Sequence, residues 1–201
     1  MRARIYDAAI VHLTAGWYRA VLARLPRGCR LLDVGIGTGT ALLANAALLT
    51  AREVRVVGVD IDDTYVERCR RGIGAAGLAE RIAVHRESVT EHRGGPYDAV
   101  YFSGSFMLLP DPAAALRHVG TLLAPGGRVY FTQTMEHHRS RLLEVVKPLL
   151  RRLTTIDFGR VTYEPEFRQA IAAGGMGLES LQVLAPGARR SAVLAVAGPD
   201  R

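Results

Sequence analysis

The sequence predicts an α/β fold: a mostly parallel sheet with helices on both sides, closed by an antiparallel C-terminal hairpin. Three observations lead there. Short β-branched runs alternate with helical segments through most of the chain, which is the pattern of strand-helix-strand units. One of those runs, "VRVVGVD" from Val54 to Asp60, is β-branched and mostly apolar, as a parallel strand buried on both faces is, and "RLLDVG" from Arg30 precedes it as a strand. The last two β-rich runs, "LESLQVL" and "SAVLAVA", are joined through "APGARR", a connection short enough for a hairpin.

Each element has its own reason. Trp17, Tyr18, Val21 and Leu25 recur at near-helical spacing and predict an N-terminal helix, which Pro26 and Gly28 break. After the first strand, a helix is expected from about Gly39 to Ala51 as a buried element, its apolar stretch Ala41 to Leu49 interrupted by Asn45. Asp62 or Asp63 can cap the helix through "TYVERCRRGI", which Gly72, Gly74 and Gly77 weaken. "RIAVHRE" (Arg81 to Glu87) and "YDAVYFS" (Tyr97 to Ser103) read as the third and fourth strands. Asp111 followed by Pro112 is the strongest helix start in the chain, an N-cap with proline at the first helical position. "APGG" ends that helix, and "RVYFTQT" (Arg128 to Thr134) follows as the fifth strand. A further helix is expected from His138 to Leu153, bent near Pro148, and a short one from Pro165 to Gly174 and Gly175.

The length, 201 residues, suits one domain, divided into an N-terminal helical cap (1–27), a cofactor-binding half (28–135) and a part with substrate-side helices and the hairpin (136–201). No apolar run reaches the roughly 20 residues of a membrane span. The N-terminal stretch lacks the clean apolar core and cleavage site of a signal peptide, so the expected location is cytoplasmic. Cys29 and Cys69 stand apart, without metal or redox spacing. The net charge is +7, yet all but one of the 26 basic residues are arginine and they are scattered. A biased coding composition accounts for that better than a nucleic-acid surface does.

The loop in "LLDVGIGTGT" (Leu31 to Thr40) carries glycine at Gly35, Gly37 and Gly39 at the end of a strand, where such sheets bind nucleotides. A dinucleotide fingerprint would need its third glycine where Thr40 stands. Its ribose-binding acid lies about 20 residues on, whereas Asp60 is 25 positions after Gly35. Charge decides between ligands. Asp33 would repel a diphosphate and attract an ammonium or sulfonium group.

"LLDVGIGTGT", "VVGVDID" and "YDAVYFSGSFMLLPDPAAALRHVGTLLAPGGRVYF", in that order, resemble the class I S-adenosylmethionine-dependent methyltransferase family over roughly Tyr6 to Ala197. The resemblance implies a Rossmann-like, doubly wound, seven-stranded sheet with the last strand inserted antiparallel. It implies S-adenosylmethionine as cofactor and S-adenosylhomocysteine as product. By position, Asp33, Gly35, Ile36, Gly37 and Gly39 would hold the methionine arm. Asp60 would accept the ribose hydroxyls and Ile61 would pack on the adenine. Glu87, with Ser88 beside it, would accept from the adenine amino group. Ser103 and Gly104 would lie beneath the transferable methyl, and Tyr6 would close over the cofactor.

On the acceptor side, Tyr18, Met107 and Gln133 are candidate contacts. His137, following the fifth strand, and His12, on the N-terminal helix, are candidate bases, because histidine is best matched to proton transfer at neutral pH. A metal is not expected, since adjacent residues such as His137 and His138 rarely address one ion. The absence of an "Asn-Pro-Pro-Tyr"-like signature, replaced by "SGSF" at Ser103 to Phe106, argues against nucleic-acid amines. The expectation is methyl transfer to a nitrogen, oxygen or sulfur nucleophile of a small molecule, with room for a homodimer. An RNA methyltransferase and a non-catalytic binding subunit are the alternatives.

Overall fold

A computed structural model describes residues 13–137 and 162–199. Seven strands form one sheet: β1 (Arg30–Val34), β2 (Arg55–Asp60), β3 (Ile82–Arg86), β4 (Tyr97–Ser103), β5 (Leu123–Glu136), β6 (Met176–Ala185) and β7 (Arg190–Pro199). Their order is β3-β2-β1-β4-β5-β7-β6. The first five run parallel, and β7 is inserted antiparallel between β5 and β6. The doubly wound sheet with an antiparallel end is the one predicted, and its strand order reverses between β1 and β4, which opens a crevice at their carboxyl ends.

The helices are α1 (13–22), α2 (Thr40–Leu43), α3 (Ala46–Ala51), α4 (Asp63–Ala75), α5 (Pro112–Leu122) and α6 (Glu164–Ala173). Alternation along the strands sends Leu31, Val56, Ala99 and Tyr101 to one face, where α1 to α4 pack through Leu22, Leu42, Val66 and Cys69. Leu32, Val59, Val100 and Phe131 point to the other face, against Leu116 and Val119 of α5 and Phe167 of α6. On that second face Phe106 meets Phe102, Phe131 and Phe167 at centroid distances of 5.3, 4.8 and 5.9 Å, within the range where edge-to-face pairs attract.

The caps formed as expected. Asp62 accepts from Tyr65 N at the start of α4, and Asp111 accepts from Ala114 N at the start of α5. The expected single helix from Gly39 to Ala51 is instead two short ones. Asn45 is buried, and its amide donates to Ala41 O and Ala15 O, both at 2.9 Å. A buried amide held by α1 fixes a break that an isolated helix would not need. The fifth strand also starts earlier than Arg128: Leu123 already pairs with Tyr97, with an irregularity before Arg128 meets Ala99. The helix expected from His138 to Leu153 lies outside the described residues.

Candidate functional site

The glycine loop leaves β1 with Gly37 and Gly39 at φ +58° and +68°, a region where an L side chain costs about 1 kcal/mol or more. A Cβ on Gly39 would strike Cys69 Sγ, and one on Gly35 would lie 2.7 Å from Ser105 Cβ. Gly37 differs, because nothing stands within 4 Å of its Cβ position. The loop is therefore packed from below and open at Gly37, where a ligand can approach the backbone. Gly35 N and Ile36 N both donate to Val59 O, at 2.8 and 3.3 Å. The Ile36 side chain covers Gly58 of β2, so the loop is fixed to the neighbouring strand.

Two acids flank this loop. Asp33 is 0% exposed; its Oδ2 accepts from the Tyr18 hydroxyl at 2.8 Å, while its Oδ1 is buried with no hydrogen-bond partner. Burial pushes its carboxyl up to about 7; Asp60 adds to the rise and the Tyr18 hydrogen bond opposes it. Asp60 closes the loop from β2. Its Oδ2 accepts from Gly37 N and its Oδ1 from Asp62 N, both at 2.9 Å. Each oxygen keeps a further lone pair for a ligand. Ile61, the next residue, is 74% exposed, an apolar face with nothing of the described chain over it.

Glu87 follows β3, and its backbone N donates to Asp60 O at 3.1 Å. Its Oε1 meets His92 Nδ1 at 2.6 Å. Ser88 Oγ is turned to Thr90, at 2.8 Å. Ser103 ends β4 opposite Thr132, and Gly104 N donates to Thr132 O at 2.8 Å. Trp17 of α1 lies over this point, with its Cζ3 3.6 Å from the Gly104 Cβ position. The residues expected on the cofactor side thus lie at one end of the sheet: Asp33, Asp60 and Ser103 near the carboxyl ends of β1, β2 and β4, and Gly35, Ile36, Gly37, Gly39, Ile61, Glu87, Ser88 and Gly104 after β1 to β4.

The acceptor-side residues are less gathered. Tyr18 is 3% exposed and its hydroxyl is engaged by Asp33, with its ring edge-on to Tyr101 at 5.0 Å. Met107 sits in a 3-10 turn, Phe106–Leu108, and packs against the α5 face. Gln133 Nε2 donates to Thr162 Oγ1 at 3.0 Å. His137 is exposed at the end of β5, its Nε2 2.9 Å from Ser191 Oγ of β7. It borders a groove of ≈ 500 Å³ lined also by Met135, Pro165, Leu181, Ser191 and Val193. That groove belongs to the β5-β7-β6 end of the sheet rather than to the glycine loop. Tyr6 and His12 lie outside the described residues. Among the described residues no group of three or more metal-ligating side chains comes together.

Sequence reasoning missed four participants. No motif in the sequence ties Tyr18 to Asp33, Cys69 to the underside of Gly39, Trp17 to Gly104 or His92 to Glu87. Helical spacing could have found the first, since Tyr18, Val21, Leu22 and Leu25 share the helix face that packs on the β1 side of the sheet. Nothing periodic marks His92, which lies in a loop.

Comparison with known proteins gives a consistent picture. A family model described as a methyltransferase domain matches residues 32–129. The ubiquinone biosynthesis O-methyltransferase of Bordetella bronchiseptica is 30% identical over 139 residues, covering 69% of this chain. The chain spans 56% of that relative's length. Among solved structures, the mitomycin 7-O-methyltransferase MmcR superposes with a TM-score of 0.68 at 22% identity, over 92% of this chain and 52% of the other. The cyclase SpnF does so with a TM-score of 0.72 at 14% identity, over 94% and 81%. At these identities the structural likeness is one of fold.

Proposed function

The chain belongs to the class I S-adenosylmethionine-dependent methyltransferase family, and from that premise we propose that it transfers a methyl group from S-adenosylmethionine to a nitrogen, oxygen or sulfur nucleophile of a small molecule, releasing S-adenosylhomocysteine. The observation that carries this reading is Asp33 Oδ1, a buried acidic oxygen without a partner under the glycine loop. A diphosphate there would meet repulsion, whereas the ammonium of an aminoacyl arm would supply the missing donor.

The remaining residues fit the same ligand. Gly37 admits a close approach to the backbone, Asp60 retains lone pairs for two ribose hydroxyls, and Ile61 offers an apolar surface to a purine. Glu87 Oε2 is the acceptor for the exocyclic amine, and Ser88 borders the same edge. Ser103 and Gly104 floor the crevice on the β4 side, and Tyr6 is proposed as its cover. When bound, S-adenosylmethionine supplies a methyl on a sulfonium whose leaving group needs no protonation. The protein's share is alignment of the acceptor and exclusion of water.

Where the acceptor is a hydroxyl or a protonated amine, a proton must leave. His137 is the proposed base, its ring oriented by Ser191, with His12 the second candidate. Gln133 and Met107 are proposed acceptor contacts, and Tyr18 is proposed to reach the acceptor side through the carboxylate it holds. No described helix is long and apolar enough to cross a membrane; a cytoplasmic setting and a homodimer belong to the proposal.

Two measurements test it. Calorimetry should detect S-adenosylmethionine and S-adenosylhomocysteine and no binding of NADH; tighter NADH binding overturns the reading. Incubation with methyl-labelled donor and a metabolite extract, read by mass spectrometry, should reveal a metabolite heavier by one methylene. Label in RNA instead would move the acceptor to nucleic acid, and no label anywhere would leave a binding subunit.

A further inference from the structure

A line of three side chains runs down from the end of β3 into the α5 face. Glu87 Oε1 lies 2.6 Å from His92 Nδ1, and His92 Nε2 lies 2.7 Å from the Tyr97 hydroxyl. A carboxylate accepts, so Nδ1 carries a hydrogen and donates to Glu87, and Nε2 shares the second bond with the Tyr97 hydroxyl. Both ring nitrogens are thereby hydrogen-bonded, as the polar atoms of a residue only 5% exposed generally are.

The surroundings hold the imidazole in place. A Cβ on Gly94 would come within 2.5 Å of both His92 Nε2 and Tyr97 Oη, so a larger residue there would break the line. His118 Nε2 donates to His92 O at 2.8 Å and Arg93 Nη1 to the same oxygen at 3.1 Å, pinning the backbone. Arg30 lies over the Tyr97 ring, 5.4 Å from its centroid. Glu87 itself is anchored by its backbone on Asp60 and by its carboxylate on His92.

We infer that His92 is a positioning residue that fixes the Glu87 carboxylate so that its second oxygen, Oε2, reads the six-position of the cofactor's purine, favouring an amine over a carbonyl. The inference rests on the proposed binding of an adenine beside Glu87. A carboxylate accepts from a 6-amino group and repels a 6-oxo group, but only if it cannot swing aside. A free glutamate has three side-chain torsions with which to do that, and the bond to His92 removes them.

The test compares binding of S-adenosylhomocysteine with that of S-inosylhomocysteine by calorimetry, in the whole protein and four variants, with thermal unfolding as the check on folding. The wild-type protein should prefer the adenosyl ligand by about ten- to a hundredfold, the range of one charge-assisted hydrogen bond. Glu87→Gln should abolish the preference, because a carboxamide can turn its N–H₂ to a carbonyl. If Glu87→Gln keeps it, Glu87 does not face the purine and the underlying site reading is at fault. If Glu87→Gln abolishes it, the remaining variants judge His92 alone. His92→Leu should lose most of the preference, and His92→Asn, whose amide can donate to Glu87 in place of Nδ1, should keep it. Tyr97→Phe removes a single oxygen, keeps the fold if His92→Leu does not, and should lower the preference in the same direction. Wild-type preference in a folded His92→Leu or in Tyr97→Phe overturns the inference.

Discussion

A carboxylate buried on β1 loses hydration that a proton, a cation or a hydrogen-bond donor must replace. Asp33 is in that position, with one oxygen on Tyr18 and the other unpaired, and its carboxyl is pushed up to about 7 by burial. Two opposite pH trends follow. In the ligand-free protein the folded state holds a proton that the unfolded chain releases near the ordinary aspartate value. This group's share of stability therefore falls as pH rises from about 4 to about 7 and is constant above that. Affinity for S-adenosylmethionine should run the other way, because the ammonium prefers the ionised acid. A loss of about tenfold is expected for each pH unit below the shifted value, read by calorimetry between pH 6 and 8, and Asp33→Asn should flatten the difference. Asp60→Ala should abolish detectable binding of the cofactor while the protein unfolds near its normal temperature, since Asp60 is part-exposed and its bonds stay within the loop. Near-normal affinity would remove the ribose assignment. The acids themselves were legible in the sequence, because a strand ending in aspartate before a glycine run is a charge placed at a known point. That Asp33 leans on Tyr18, and Glu87 on His92, was not. Those contacts depend on loop and helix packing across 15 and 5 residues, where no repeat in the sequence carries the information.

Among the elements, the ones with chemical punctuation were read best. Asp62 and Asp111 cap the helices they precede, and the β-branched runs became strands with their ends shifted by a residue or two, except that the fifth begins five residues early, at Leu123. The break between α2 and α3 escaped because Asn45 acts through α1, a partner that lies 30 residues earlier in the chain. The junction of the glycine loop with α4 shows how tightly these elements meet. Gly39→Ala should destabilise the protein by about 2–4 kcal/mol, the sum of a left-handed alanine and a collision in a packed core. Cys69→Ala removes the colliding sulfur, so the pair Gly39→Ala with Cys69→Ala should cost less than the two single changes added together, as chemical denaturation would measure. Strict additivity would mean that the loop avoids Cys69 by another route.

Across the whole molecule, the topology was the most legible feature. Alternating strands and helices permit few parallel arrangements of one handedness, and the antiparallel insertion of the last strand was implied by the family resemblance rather than by the hairpin itself. What the fold leaves open is equally physical. A sheet of this kind positions loops and does not choose chemistry, and a cyclase shares it as closely as a methyltransferase does. The acceptor side is correspondingly thin in sequence signals: Gln133 and His137 arrive on β5, but the partners they meet, Thr162 and Ser191, come from the far end of the chain.

Trp17 is the sole tryptophan of the chain, 7% exposed, lying over Gly104 at the mouth of the crevice. The protein therefore carries a built-in fluorophore in contact with the place where the ligand is proposed to lie. Titration with S-adenosylhomocysteine should change its emission along a saturating curve whose midpoint matches calorimetry, and Trp17→Phe should be optically silent yet still bind. An emission that ignores a bound ligand would show that the first helix stands apart from the events in the crevice it overlies.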